Sequence, residues 1–293
     1  MTAGQARTDI TVANGVIAGP LRASRNMSHD VKGSIHDDAT ASKLGFRGGT
    51  VAGSIHMELF PPLLLKAFGE QWFENGTLSM YFLNATTDAE SVRAFVKEPE
   101  NTTDAQVDVW VEREDRMRVA EGSASVGSPG EPSALLRWPL DRFDAGELRL
   151  LKGVGPGYEF EPVDVRIELE RQQQRMAVIT EPLDWYVGKS PWGGPIAMPT
   201  TMVQALYAKS VAGMRGRIGQ AVGLFGAIEL RNINGPVFVD ETYRVTGQVV
   251  AVGQSPKTEY MWFETAMEDR SGKRAAEMRM LLRWMKASSP LYL

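Results

Sequence analysis

Cysteine is absent from the 293 residues, which excludes disulfide bridges, thiolate nucleophiles and cysteine-ligated metal sites. Basic residues are outnumbered, with 32 Lys and Arg against 36 Asp and Glu, so no cationic surface for nucleic acid or an anionic membrane is expected. No apolar run reaches the roughly 18 residues of a membrane span, and residues 1–19 lack the apolar core of a signal peptide. These absences predict a cytoplasmic protein with neither a membrane nor a nucleic-acid partner.

Histidine is also scarce, with His29, His36 and His56 as the only three. No two of the possible metal ligands near them have the spacing of one helical turn, so no metal site is expected. The sequence contains no phosphate-binding glycine loop, serine nucleophile elbow or dinucleotide fingerprint, and no cofactor is expected either. Acid–base chemistry near neutral pH would therefore depend on one of three imidazoles.

The chain does contain a repeat. The sequence GGTVA at residues 48–52 recurs as GGPIA at residues 193–197. Each copy precedes a helical pattern of apolar residues, and each helix is followed by strands with alternating apolar residues. The first unit predicts helix at 51–60, interrupted by Pro61 and Pro62, then helix at 63–68 and strands at 78–83, 91–96, 106–111 and 119–126. The second predicts helix at 198–214 and strands at 226–232, 241–252, 259–268 and 274–285.

A helix followed by an antiparallel meander resembles the hotdog fold, in which a curved sheet wraps a central helix. We therefore predict an α+β double hotdog with two antiparallel sheets, each wrapping a central helix. Its units would be an N-terminal hotdog at 1–130 that carries the site, a linker at 131–160 and a C-terminal hotdog at 161–293. The alternative is a chain of two unrelated α+β domains. The repeated glycine motif argues against this alternative.

A longer motif surrounds the first glycine pair. Residues 34–38 read SIHDD, Ala41 follows, and residues 44–54 read LGFRGGTVAGS. This stretch resembles the MaoC-like acyl dehydratases, which include the R-specific enoyl-CoA hydratases. The resemblance implies a hydro-lyase that adds water to, or removes it from, the α,β bond of an acyl thioester. It also implies an Asp and a His that act on water, and a helix-start N–H that polarises the thioester carbonyl.

Carried over by motif, His36 takes the histidine role and Gly53 the helix-start role. The family's Asp lies five residues before its His, where this sequence has Val31. Asp30 lies one residue further back, and one extra residue in the loop at 31–33 would return it to the same place. The predicted catalytic set is therefore Asp30, His36 and Gly53. The other reading of His36 is a residue at the start of a short helix at 39–44.

Four further residues are predicted to contact substrate. Arg47 is a candidate for a coenzyme A phosphate, and solvated arginine is its alternative. Gly49 and Ser54 flank the helix start, where glycine permits close approach of a substrate. His56 lies one turn into the helix, where it would line the pocket or pack in the core. In the second motif, Pro199 lies near the matching helix start, and proline has no backbone N–H. Only the first helix start is therefore expected to bind an oxyanion.

The predicted function is a hydro-lyase on a 2-enoyl-CoA or 3-hydroxyacyl-CoA. A hotdog thioesterase, a non-catalytic acyl-binding hotdog protein and another small-molecule reaction on the same scaffold remain as alternatives. The expected partners are a CoA thioester and a second copy of the chain in a dimer.

Overall fold

The computed structural model describes residues 9–140, 145–212, 214 and 216–293, without the side chains of residues 208–210 and 212. Residues 1–8 of the predicted first unit and 141–144 of the predicted linker lie outside the described residues. Twelve strands form within the described ranges. They are β1 (Thr11–Ala13), β2 (Val16–Ala18), β3 (Arg22–Ala23), β4 (Gly76–Phe82), β5 (Ser91–Lys97), β6 (Ala105–Arg113), β7 (Arg118–Val126), β8 (Val163–Arg166), β9 (Gly223–Asn232), β10 (Thr242–Gln254), β11 (Thr258–Glu268) and β12 (Arg274–Met285).

These strands belong to one antiparallel sheet, in the order β1-β2-β5-β6-β7-β4-β9-β12-β11-β10-β8, with β3 beside β5. The two halves of the chain join where β4 pairs with β9, from Thr77 opposite Arg231 to Tyr81 opposite Ala227. The two predicted sheets are therefore joined into one continuous sheet. Their edge strands pair with each other, which satisfies two rows of backbone groups that would otherwise be exposed.

Six α-helices accompany the sheet in the described residues. They are α1 (Asp38–Lys43), α2 (Gly53–Met57), α3 (Pro61–Phe68), α4 (Trp72–Asn75), α5 (Leu169–Met176) and α6 (Pro199–Ala212). The central helix of the first half is divided into α2 and α3, because Pro61 and Pro62 lack the N–H groups that would continue α2. The central helix of the second half, α6, is continuous over its 14 residues.

The helices cover the sheet and meet each other. Helix α3 packs on β2 and β5, α6 packs on β8 to β12, and α2 lies between β4, β9 and α6. One apolar core contains buried side chains of both halves, including Phe60, Met80, Ile228 and Phe263. A smaller cluster on the other face of the sheet includes Leu135 of the segment that connects β7 to β8. The contact of α2 with α6 brings the start of the first central helix beside the second half.

Candidate functional site

A cavity of about 680 Å³ opens between the two halves at the start of α2. That volume lies within the usual range for pockets that bind small molecules. The first half contributes most of the polar groups, among them Ser34, His36, Asn84 and His56. The second half contributes mainly apolar side chains, namely Tyr207, Val211, Ile218, Leu224, Phe225, Leu282 and Trp284. The cavity is therefore polar at α2 and apolar where α6, β9 and β12 line it.

His36 is half-buried in the wall of this cavity, and its ring has a fixed orientation. Nδ1 lies 2.7 Å from the backbone oxygen of Thr50. Because a carbonyl oxygen only accepts hydrogen bonds, Nδ1 must donate, and Nε2 is then the unprotonated nitrogen of the neutral ring. Nε2 has no hydrogen bond to any residue that the structure describes. The ring is thus arranged to take up or release a proton through Nε2.

The backbone around His36 is held from two directions. The side-chain amide of Asn26 donates to the His36 carbonyl oxygen at 2.8 Å, and the Thr50 N–H donates to the Ile35 oxygen at 2.9 Å. Asn26 is itself held, because its backbone N–H donates to Asp88 at 2.7 Å. Neither Asn26 nor Thr50 was predicted as a site residue, since a backbone carbonyl and a distant side-chain amide leave no motif in a sequence.

Asp37 and Asp38, which follow His36, stabilise the loop and do not point into the cavity. Asp37 is buried and accepts from the Thr40 hydroxyl at 2.7 Å, a hydrogen bond that lowers the Asp37 pKa to about 2. Asp38 accepts from the Gly49 N–H at 2.7 Å. The short helix expected at 39–44 is confirmed as α1, and Asp37 occupies its N-cap position.

Asp30 is not brought to His36. Its side chain is 90% exposed and pairs with His29, whose Nε2 lies 3.2 Å from Asp30 Oδ2. A series of tight turns forms the loop, with the Val31 N–H bonded to the Ser28 oxygen and the Ser34 N–H bonded to the Val31 oxygen. These turns direct Asp30 to solvent, where a carboxylate keeps its hydration. The expected Asp30–His36 pair is therefore not formed in this structure.

The start of α2 forms the cavity wall at Gly53. An added Cβ at Gly53 would lie 2.6 Å from the ring of Phe82, so only glycine permits this packing without a shift of the ring. The N-cap residue, Ala52, has no side chain that could cap the helix. The N–H groups of Gly53 and Ser54 have no acceptor in the described residues. Gly53 lines the cavity, so its N–H group is available to an oxyanion there, whereas Ser54 is buried and does not line the cavity.

Gly49 and Arg47, predicted to contact substrate, have internal partners. An added Cβ at Gly49 would lie 2.3 Å from the His36 carbonyl oxygen, so Gly49 permits the close approach that positions the histidine loop. Arg47 binds both carboxylate oxygens of Glu90, at 2.9 and 2.7 Å. This bidentate pair lowers the pKa of Glu90. Neither Gly49 nor Arg47 lines the cavity at α2; both line a neighbouring pocket, together with Asp38.

His56 combines both sequence interpretations, because it is 97% buried and still lines the cavity. Its Nε2 lies 2.8 Å from the Thr86 hydroxyl, and its Nδ1 has no partner in the described residues. Burial lowers the His56 pKa to about 4. The ring is therefore neutral at pH 7, and no described Asp or Glu side chain lines the cavity to change this.

No protein-family model and no curated protein matches the sequence. Solved structures match its fold over nearly the whole chain. A protein from Chloroflexus aurantiacus, described as a MaoC domain protein dehydratase, has a TM-score of 0.60 at 12% identity and covers 97% of this chain and 96% of its own. A conserved hypothetical protein from Mycobacterium tuberculosis with a double hotdog fold has a TM-score of 0.56 at 10% identity, with the same coverage.

A further structure, described as a MaoC-like dehydratase, has a TM-score of 0.53 at 12% identity and covers 95% of this chain and 99% of its own. The predicted resemblance to MaoC-like dehydratases and double hotdog proteins is confirmed at the level of the fold. Identities of 10 to 12% carry no information about the reaction. No helix among the described residues is both long enough and apolar enough to cross a bilayer.

Proposed function

We propose that this protein is a hydro-lyase that acts on the α,β bond of an acyl thioester, with His36 as its acid–base group. The observation that carries the proposal is the pinned ring of His36 in the same cavity as the free helix start at Gly53. Hydration requires a group that exchanges protons and a site for the negative oxygen that develops on the thioester. These two groups meet both requirements.

In the hydration direction, Nε2 of His36 takes a proton from water while the water oxygen bonds to the β-carbon. The π electrons of the α,β bond move toward the carbonyl and give an enolate. The Gly53 N–H hydrogen-bonds the enolate oxygen, supported by the positive end of α2. The enolate then takes the proton back from Nε2 at its α-carbon, which restores neutral His36 and leaves a 3-hydroxyacyl thioester. Dehydration follows the same steps in reverse.

This scheme uses one imidazole where the resemblance implies an imidazole and a carboxylate. Asp30 has no part in it, because its side chain lies in solvent. The Thr50 carbonyl replaces a carboxylate in one respect, since it fixes the tautomer and orientation of the ring. A carbonyl does not neutralise the imidazolium, however, so we expect slower turnover than a His–carboxylate pair would give.

A second candidate is a non-catalytic acyl-binding protein. It is favoured by the cavity lining, which contains no Asp or Glu side chain in the described residues. The polar helix start would then hold a thioester carbonyl, and the apolar side chains from α6 and β9 would hold its acyl group. This candidate predicts binding without turnover.

The test is incubation with 2-enoyl-CoA esters of increasing chain length, with 3-hydroxyacyl-CoA measured by mass spectrometry. We expect His36→Gln to lower turnover by about 10²–10⁴-fold, the range for loss of a general acid–base. Asp30→Asn is the matched control, and it should stay within about twofold of the natural protein because the side chain is exposed. Esters that bind natural protein and His36→Gln equally, with no turnover in either, would support the acyl-binding candidate and exclude the hydro-lyase.

A further inference from the structure

The two halves repeat not only strands but also the hydrogen bonds that place a central helix. In each half, two successive residues before the helix donate to a loop on one side and to the strand connection on the other. The pairs are Thr50 N–Ile35 O and Val51 N–Thr86 O in the first half, and Ile196 N–Trp185 O and Ala197 N–Val237 O in the second, all at 2.8–2.9 Å. These hydrogen bonds align Thr50 with Ile196, whereas the glycine motifs align Thr50 with Pro195. The structural correspondence between the halves is therefore displaced by one residue from the alignment of the motifs.

The correspondence shows what replaces the candidate site in the second half. Tyr186 follows Trp185 as His36 follows Ile35, so it occupies the place of the histidine. Pro199 is the first residue of α6 and matches Gly53, the first residue of α2. Thr200 therefore matches Ser54, and it has the first N–H group of α6, because proline has none.

In the second half this N–H group is not free. The carboxyl group of Glu58, from the C-terminal end of α2, accepts from the Thr200 N–H at 2.5 Å. Glu58 is 1% exposed, and both Tyr186 and Thr200 are completely buried. The Thr200 and Tyr186 hydroxyl oxygens and the second Glu58 oxygen form no hydrogen bond with described residues. A buried carboxyl group thus lies at the helix start, surrounded by polar atoms that would suit a carbonyl or carboxylate ligand.

We propose that the second half contains a closed copy of the candidate site, in which the Glu58 carboxyl group is the permanent ligand of the α6 helix start. A helix start favours a carboxylate, and 14 residues of α6 supply aligned peptide dipoles. The chain would then have one open site and one site filled by its own side chain. The closed copy rests on the fold and on the hydrogen bond between Glu58 and Thr200, and it does not depend on the reaction proposed for His36.

The surroundings of Glu58 agree with a ligand held by hydrogen bonds and not by an ion pair. Burial raises the Glu58 pKa to about 7, against the opposing effects of the Thr200 hydrogen bond and of Arg175 on α5. Tyr186 faces the carboxyl group from the loop before α6, and burial with that negative charge raises its pKa.

The decisive test is chemical rescue. Glu58→Ala removes a CH₂–COO⁻ group, which acetate replaces almost atom for atom. We expect Glu58→Ala to lower Tm, and 200 mM acetate at pH 6 to restore roughly 2–5 °C of it relative to 200 mM chloride. Gln204→Ala is the matched control, since Gln204 lies on α6 at the position that corresponds to Glu58 and is only half-buried. Equal responses of the two variants to acetate would overturn the proposal.

Glu58→Gln provides a second test in case Glu58→Ala does not fold. Its amide oxygen can still accept from Thr200, but it has no charge to bury. With a folded pKa near 7 against an ordinary value of 4.5, the natural protein should lose stability as pH rises from 6 to 8. Glu58→Gln should lack that component of the loss. The same Tm change from pH 6 to pH 8 in both proteins would contradict a carboxyl group enclosed at this site.

Discussion

Acid should destabilise this protein through His56. The ring is 97% buried, its Nε2 is bonded to the Thr86 hydroxyl, and burial lowers its pKa from 6.5 to about 4. Glu90 acts in the opposite direction and does not compensate. Because the folded state binds this proton less tightly than the unfolded state, the stabilisation is complete above pH 6.5 and is lost as pH falls toward 4.

The magnitude follows from the shift. A difference of 2.5 pKa units corresponds to about 3 kcal/mol in the free energy of unfolding once the loss is complete. At pH 5 the loss should be about 2 kcal/mol, because the unfolded His is then almost fully protonated and the folded one is not. The assay is urea denaturation at pH 7.5 and pH 5.0 of the natural protein and of His56→Gln, whose amide can still reach Thr86.

Other groups also titrate in this interval, notably Glu58, and the comparison of two proteins cancels their contributions. We expect the natural protein to lose about 2 kcal/mol more than His56→Gln between the two pH values. His29→Gln is the control for the loss of a histidine at an exposed position, since the His29 side chain is 69% exposed. Equal losses in the natural protein and His56→Gln, within ~0.5 kcal/mol, would show that burial does not hold His56 neutral.

Two further changes test the packing that places the site. Gly49→Ala should lower the free energy of unfolding by about 2–4 kcal/mol in denaturant titrations, because the new Cβ would meet the His36 backbone. Gly48→Ala is its control and should cost less than about 1 kcal/mol, because its Cβ would meet only side-chain atoms, at 3.3 Å or more. Similar losses in the two variants would show that the contact with His36 does not require glycine. Glu259→Gln should lower Tm by roughly 4–10 °C, because the buried carboxylate accepts hydrogen bonds from the backbone N–H groups of Arg149, Leu150 and Leu151. A Tm within ~1 °C of the natural protein would show that these hydrogen bonds contribute little to stability.

Much of the sheet could be predicted from local sequence. All eight long strands, β4 to β7 and β9 to β12, were predicted, because each is rich in apolar residues and is bounded by polar or glycine-containing turns; the alternation is clearest in β6. The first hairpin, β1 to β2, was missed despite a signal. Asn14 and Gly15 have positive φ values of 52° and 72°, as a two-residue hairpin turn requires, and Asn-Gly is a strong indicator of such a turn.

The loop before α1 shows why spacing predicted Asp30 wrongly as a neighbour of His36. Residue spacing along the sequence predicts that the Asp30 carboxylate lies beside His36, but it does not take into account whether the cavity could stabilise a charged carboxylate there. The turns at 28–34 leave Asp30 at the surface, and the cavity offers it no cation in the described residues. The motif did locate His36 in the cavity wall, where the Thr50 backbone fixes its ring, and its role in a reaction stays a prediction. The hydrogen-bond partner of His36 is the backbone carbonyl of Thr50. Because every residue has a backbone carbonyl, such a partner cannot be identified from a sequence.

Glu58 did leave a mark in the sequence, a single acidic residue in the otherwise apolar run at 51–65, together with His56. A charge inside an apolar helix is costly unless the fold supplies donors. The donor here is the start of α6, which only the second half provides. Among the described residues that line the cavity, α6 contributes the side chains of Tyr207 and Val211, whereas α2 contributes its first residue, Gly53, whose N–H group has no acceptor there. The cavity therefore matches, in its lining, a molecule that is polar at one end and apolar at the other.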